Sequence, residues 1–133
     1  MSAQDLEVVR RLYEAFRKRD NESPFEVFDE EIVWDSSTGI QGWEATGLAD
    51  EFHGHDGVRR YWRAWLDAWS EIEFTYEPTE LDDGRIAALV DQRNRARHSG
   101  VWIDQPRYAQ IWTLREGKVV HMELTEPSAV EAD

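Results

Sequence analysis

The chain has 133 residues, the size of one ordinary domain. Fifteen Lys and Arg against 28 Asp and Glu give a formal charge of −13, which argues against binding to nucleic-acid phosphates and to anionic membrane surfaces. An apolar share of 41 %, seven Trp and no Cys exclude an acidic disordered chain, disulfides and thiolate metal sites.

In chain order, Leu6, Val9, Leu12, Tyr13 and Phe16 form an apolar stripe at helical spacing. Ser2 and Asp5 offer a weak capping box, Arg17, Lys18 and Arg19 suit the last turn, and Asp20-Asn21 stops the helix. Ser23-Pro24 signals the start of a short second helix over 25–28. Glu31–Asp35 reads as a strand with Ile32 and Trp34 on one face and Val33 and Asp35 on the other. Residues 36–54 contain four Gly among Ser and Thr and predict a long loop, a place for a lid. A third helix is expected from His55-Asp56-Gly57 to about Trp69, with Val58, Tyr61, Trp62, Trp65, Leu66 and Trp69 on its apolar face.

Strands are expected over 71–76, 85–97, 101–114 and 119–126, joined by turns at Asp82-Asp83-Gly84, Ser99-Gly100 and Glu116-Gly117. Ser128–Asp133 is expected to fray. Helices gathered before an antiparallel run predict an α+β fold: three N-terminal helices packed on a curved, antiparallel-rich sheet, shaped as a barrel-like cone with a cavity at its wide end. No apolar run reaches the roughly 20 residues of a membrane span, and the N-terminus lacks the pattern of a signal peptide. A soluble cytoplasmic protein is the expectation.

The segments Val8–Phe16 with Asp20, Ile32–Asp35, Gly54–Val58 and Ile111–Val120, in that order and spacing, resemble the nuclear transport factor 2-like superfamily in its SnoaL-like and ketosteroid-isomerase-like branch. The resemblance spans nearly the whole chain as a single domain. It implies a pocket and a homodimer, while the superfamily's members differ widely in activity.

Carried over position by position, the resemblance puts Asp35 where ketosteroid isomerases hold their general base. Leu12 stands at their oxyanion-holding Tyr, with Tyr13 one place further. Gln110 replaces their protonated Asp, and Trp62 a supporting Tyr. SnoaL-like cyclases carry an Asp where Leu124 stands and a His where Met122 stands. Loss of oxyanion donors costs about 3 kcal/mol each, so steroid isomerisation of the family type is not expected.

The catalytic candidates are therefore Asp35 as base, with Tyr13 and Gln110 polarising or orienting the substrate. Trp62, Trp112, Trp34, Met122 and Leu124 are the candidate ligand-binding residues. Asp35 has a plainer reading as a cap of the Ser36-Ser37-Thr38 turn. The other Trp residues, Trp43, Trp65, Trp69 and Trp102, are pocket or core. His53 and His55 lack the further ligands a metal site needs, and no metal or cofactor is indicated. Arg93, Arg95 and Arg97 can hold an anion or pair with carboxylates, Glu123 among them. The expected function is that of a small-molecule pocket protein. It is either a cofactor-free isomerase, cyclase or dehydratase acting by proton transfer on an apolar or aromatic substrate, or a non-catalytic carrier, sensor or interaction module.

Overall fold

A computed structural model describes residues 2–37 and 50–130. The apolar stripe forms α1 (Ser2–Arg17) and buries Val9, Leu12 and Tyr13; the Ser2 side chain lies outside the described residues. The helix ends in a left-handed residue, Arg19, at φ 61°. Arg19 N–H bonds to Phe16 O at 3.0 Å and Asp20 N–H to Ala15 O at 2.8 Å, the bond pair of a Schellman ending. The expected second helix is only a 3-10 turn, Ser23–Glu26, with Pro24 at its start. Four residues are too few for an α-helical ladder. Among the described residues two α-helices, not three, therefore pack on the sheet.

Strand β1 (Phe28–Asp35) starts three residues before the expected strand. A short strand, β2 (Glu51–His53), pairs antiparallel with it where the sequence suggested only loop. Most of that expected loop, residues 38–49 with Trp43, lies outside the described residues. Helix α2 (Gly54–Ala68) follows at once. Gly54 has φ +71°, and a Cβ there would lie 3.3 Å from Glu30 O, so a side chain would be both strained and crowded.

Strands β3 (Trp69–Glu80), β4 (Ile86–Ala96), β5 (Trp102–Arg115) and β6 (Lys118–Thr125) form the meander. A 3-10 turn, Pro127–Ala129, occupies part of the expected fraying tail, and 131–133 lie outside the described residues. The sheet order is β2-β1-β6-β5-β4-β3. Its β1–β6 pair is parallel and the others antiparallel. The sheet is thus mixed and open, not a closed barrel. Pro78 is tolerated because β3 is an edge strand. No helix among the described residues is long and apolar enough to cross a membrane.

One irregularity sets the inward face of the sheet. Pairing between β4 and β5 passes from Val90–Tyr108 to Gln92–Gln105. Pro106 and Arg107 thus oppose the single residue Asp91, a bulge where a proline's missing N–H is harmless. Arg107 closes it with an ion pair to Asp91 at 2.9 Å. The extra residue shifts the alternation, so Tyr108, Gln110 and Trp112 share the inner face.

Arg93 and Arg95 pair across the sheet with Glu73 at 3.2 Å and Glu71 at 2.9 Å. Arg97 instead ends α2: its guanidinium donates to the carbonyls of Leu66 (2.8 Å), Asp67 (3.1 Å) and Trp69 (3.1 Å). These are orphan acceptors at the negative end of a helix. Arg97→Ala is expected to cost about 1–2 kcal/mol, a fall in melting temperature of about 5 °C. Arg97→Lys should recover less than half, because one ammonium cannot span three carbonyls. Thermal denaturation of the three proteins checks this.

Candidate functional site

A cavity of about 120 Å³ lies between the two helices and the inner face of the sheet. One wall is aromatic. Trp34 from β1 meets Trp62 of α2 edge-on at 5.7 Å and Tyr61 of α2 at 5.5 Å. Phe16 from α1 meets Trp62 edge-on at 5.4 Å. Phe74 of β3 and Val90 of β4 continue the apolar lining. Helical spacing explains the α2 contribution, since Tyr61, Trp62 and Trp65 lie on its inward face.

Polar groups are few and ordered. The Tyr13 hydroxyl donates to Gln110 Oε1 at 2.5 Å and accepts from Trp112 Nε1 at 3.0 Å. That fixes the Gln110 amide, whose Nε2 reaches Met122 Sδ at 3.8 Å, a weak acceptor. The Tyr108 hydroxyl donates to Gln92 Oε1 at 2.5 Å, and Gln92 Nε2 donates to Asn94 Oδ1 at 2.8 Å. Trp34 is 3 % exposed, and its Nε1 makes no well-formed hydrogen bond among the described residues. The Tyr61 hydroxyl is its near neighbour, and the indole N–H lowers that phenol's pKa against the effect of burial. Trp34 and Trp112 both oppose Met122 across the strands, so the Trp34 donor and the Gln110 amide flank one position.

Among the described residues, no Asp, Glu or His lines the cavity. Its phenols are poor acids: burial pushes Tyr13 far up, with the Trp112 N–H offsetting part of the effect. Burial likewise raises Tyr61 and Tyr108. Tyr76, stacked on Tyr13 at 4.4 Å, is raised by burial and by the Glu14 carboxylate that accepts its hydroxyl proton.

The candidate residues divide. Tyr13, Gln110, Trp62 and Trp34 line the cavity. Asp35 does not: it alternates with Trp34 and faces the other side of the sheet. There its carboxylate accepts Ser37 N–H at 2.9 Å and Ser37 Oγ–H at 2.5 Å, the turn-capping geometry. Its strand partners are Glu51 and Glu123, so three carboxylates stand in one row on that face. Trp112 lies behind Tyr13, fully buried, and Met122 and Leu124 lie in the core beneath the lining. Tyr13 rather than Leu12 reaches the cavity.

The sequence reading missed Tyr108, Gln92 and Arg19 as lining residues. Tyr108 was within its reach, two residues before Gln110 on the same strand face. His55 Nε2 bonds to Phe28 O at 2.9 Å and His53 pairs with Glu51 at 3.4 Å, and no metal-holding cluster exists among the described residues.

The sequence profile of the SnoaL-like domain matches residues 9–122. The chain belongs to the SnoaL-like domain family. No curated protein matches it significantly. Among solved structures it is similar to an NTF2-like protein of unknown function from Burkholderia pseudomallei, at 25% identity and TM-score 0.79, covering 95% of this chain and 92% of that one. TerC, co-crystallised with polyporic acid, shares the fold at 20% identity and TM-score 0.77, covering 95% and 93%. So does a protein from Jannaschia sp. CCS1 provisionally assigned as a SnoaL-like polyketide cyclase, at 14% identity and TM-score 0.74, covering 96% and 88%.

The tyrosine environments have a measurable consequence. All four tyrosines have raised pKa values in the fold. A raised folded pKa stabilises the protein fully below the unfolded value, about 10, and that stability is lost as pH rises through the folded values. Absorbance at 295 nm should therefore show less phenolate at pH 10 in the folded protein than in the unfolded chain. The phenolate signal should appear together with loss of the near-ultraviolet dichroism at higher pH.

Proposed function

We propose that the cavity binds a small, flat, oxygen-bearing apolar or aromatic molecule, and that the protein serves as its carrier or sensor. The observation that carries this reading is the Trp34 indole N–H in an aromatic wall, a buried donor that makes no well-formed hydrogen bond and has only the Tyr61 hydroxyl near it. A wholly unmatched buried donor costs about 1–3 kcal/mol, and the part of that cost left by a poorly placed Tyr61 is what an acceptor oxygen on a ligand removes. The Gln110 amide, held by Tyr13 with its NH₂ end turned away from the phenol, supplies a second donor beside it.

Size supports a modest ligand. At about 120 Å³ the cavity is a little smaller than the dry cavity of about 150 Å³ that holds benzene, so it takes at most one ring and the rest of a ligand extends through the opening. Chemistry favours binding over carboxylate-driven proton transfer. A general base must reach the proton it takes and have a pKa near the working pH, whereas Asp35 caps a turn on the far sheet face. Other proteins of this fold are provisionally assigned as polyketide cyclase and isomerase, whereas among the described residues this lining holds no carboxylate or imidazole.

Calorimetric titration of acetophenone and of its isostere cumene tests the reading. In Trp34→Phe the affinity for acetophenone should fall about 10-fold while that for cumene stays unchanged. Asp35→Asn should leave both unchanged. Loss of acetophenone binding in Asp35→Asn, with Trp34→Phe behaving like wild type, would sink the carrier reading and restore the base.

A further inference from the structure

Two cations stand where the cavity opens, Arg17 and Arg19, with Asn21 beside them. They are not equivalent. Arg17 is neutralised by Glu14 at 3.2 Å and lies over the Phe74 ring at 4.9 Å. Arg19 donates one bond, to Ser70 O at 2.5 Å, and makes no ion pair with a described residue. Its backbone holds φ 61° at the helix-ending position where glycine is the usual residue. A non-glycine residue there costs about 1 kcal/mol, so a stability argument alone favours Gly. The chain instead keeps a strained, exposed arginine at the mouth of an aromatic cavity. Strain of this kind concentrates at functional positions.

Electrostatics gives that arginine its meaning. The protein's charge of −13 repels anions in general, and no carboxylate among the described residues lines the cavity. Arg17 and Arg19 bond to carbonyls of β3, at Phe74 and Ser70. Trp34 belongs to β1, towards the opposite edge of the sheet. The cationic group and the neutral donor therefore stand at different ends of the cavity.

We propose that the ligand is an aromatic acid, with a neutral oxygen towards Trp34 and Gln110 and its carboxylate at the mouth, held by Arg19. This rests on the carrier reading of the same cavity and narrows its ligand class. Arg19 acts as the specificity-determining residue, and Arg17, already paired, contributes less.

The test compares acids with their neutral amides in two lengths: 4-hydroxybenzoate with 4-hydroxybenzamide, and 6-hydroxy-2-naphthoate with 6-hydroxy-2-naphthamide. Calorimetric titration is run at 50 and 500 mM salt. In at least one length the acid should bind about 10-fold tighter than the amide at low salt and lose most of that advantage at high salt. Arg19→Gln should reduce the acid to the level of the amide and leave the amide unchanged. Arg19→Gly removes the cation while relieving the positive φ, so it should give the same loss in a protein at least as stable as wild type. Equal binding of acid and amide would overturn the aromatic-acid proposal and leave the carrier reading standing. If neither acid nor amide binds in either length, both fall. An acid preference that survives in both Arg19 variants would also overturn the assignment to Arg19.

Discussion

The extra residue in β5 at Pro106–Arg107 decides which side chains the cavity sees. In an unbroken strand, the alternation that places Gln105 inward opposite Gln92 would next place Arg107 inward. A charged guanidinium would then enter an aromatic wall, and Tyr108 and Gln110 would leave it. The bulge prevents this by one residue. The displaced Arg107 is taken up outside by Asp91, whose carboxyl it holds below the usual range. Bulges beside binding sites commonly re-aim side chains in this way.

The site then depends on one hydroxyl. Tyr13 enters from α1, and its oxygen both donates to Gln110 and accepts from Trp112, so its single proton is committed. An amide flipped the other way would leave the Tyr13 hydroxyl proton without its Gln110 acceptor, since the phenol oxygen already accepts from Trp112, so the observed orientation satisfies more of the cluster. Helix position and amide orientation are thus coupled. A shift of α1 that broke the Tyr13 bond would also release the Gln110 amide in the cavity lining.

Much of this was legible in the residues. Apolar spacing located both helices, and alternation located the meander strands. The short helix after Ser23-Pro24 was overread because a start signal says nothing about length. The parallel β1–β6 pair joins segments about ninety residues apart in sequence, and local pattern carries no trace of such pairing. Asp35 is more instructive. Alternation already set it opposite Trp34, and Trp34 is the aromatic residue that needs burial. Family resemblance drew Asp35 towards the pocket, while the strand's own period of two places it outside. Where resemblance and periodicity disagree on a short strand, the buried aromatic decides the face.

The acidity also changes meaning once the cations are placed. Arg85, Arg93, Arg95 and Arg107 are paired with carboxylates, and Arg97 is spent on helix carbonyls. Each of these arginines has its charge met by the fold itself. Arg19 meets no such partner among the described residues and sits in a conformation that glycine would hold more easily. In a basic protein one more exposed arginine would carry no information. Arg10, Lys18, Arg60, Arg63 and Arg115 also make no ion pair among the described residues, but they stand outside the cavity lining. Against a charge of −13, Arg19 is a cation without an ion pair within that lining, and a local positive charge of that kind draws anions that the rest of the surface repels.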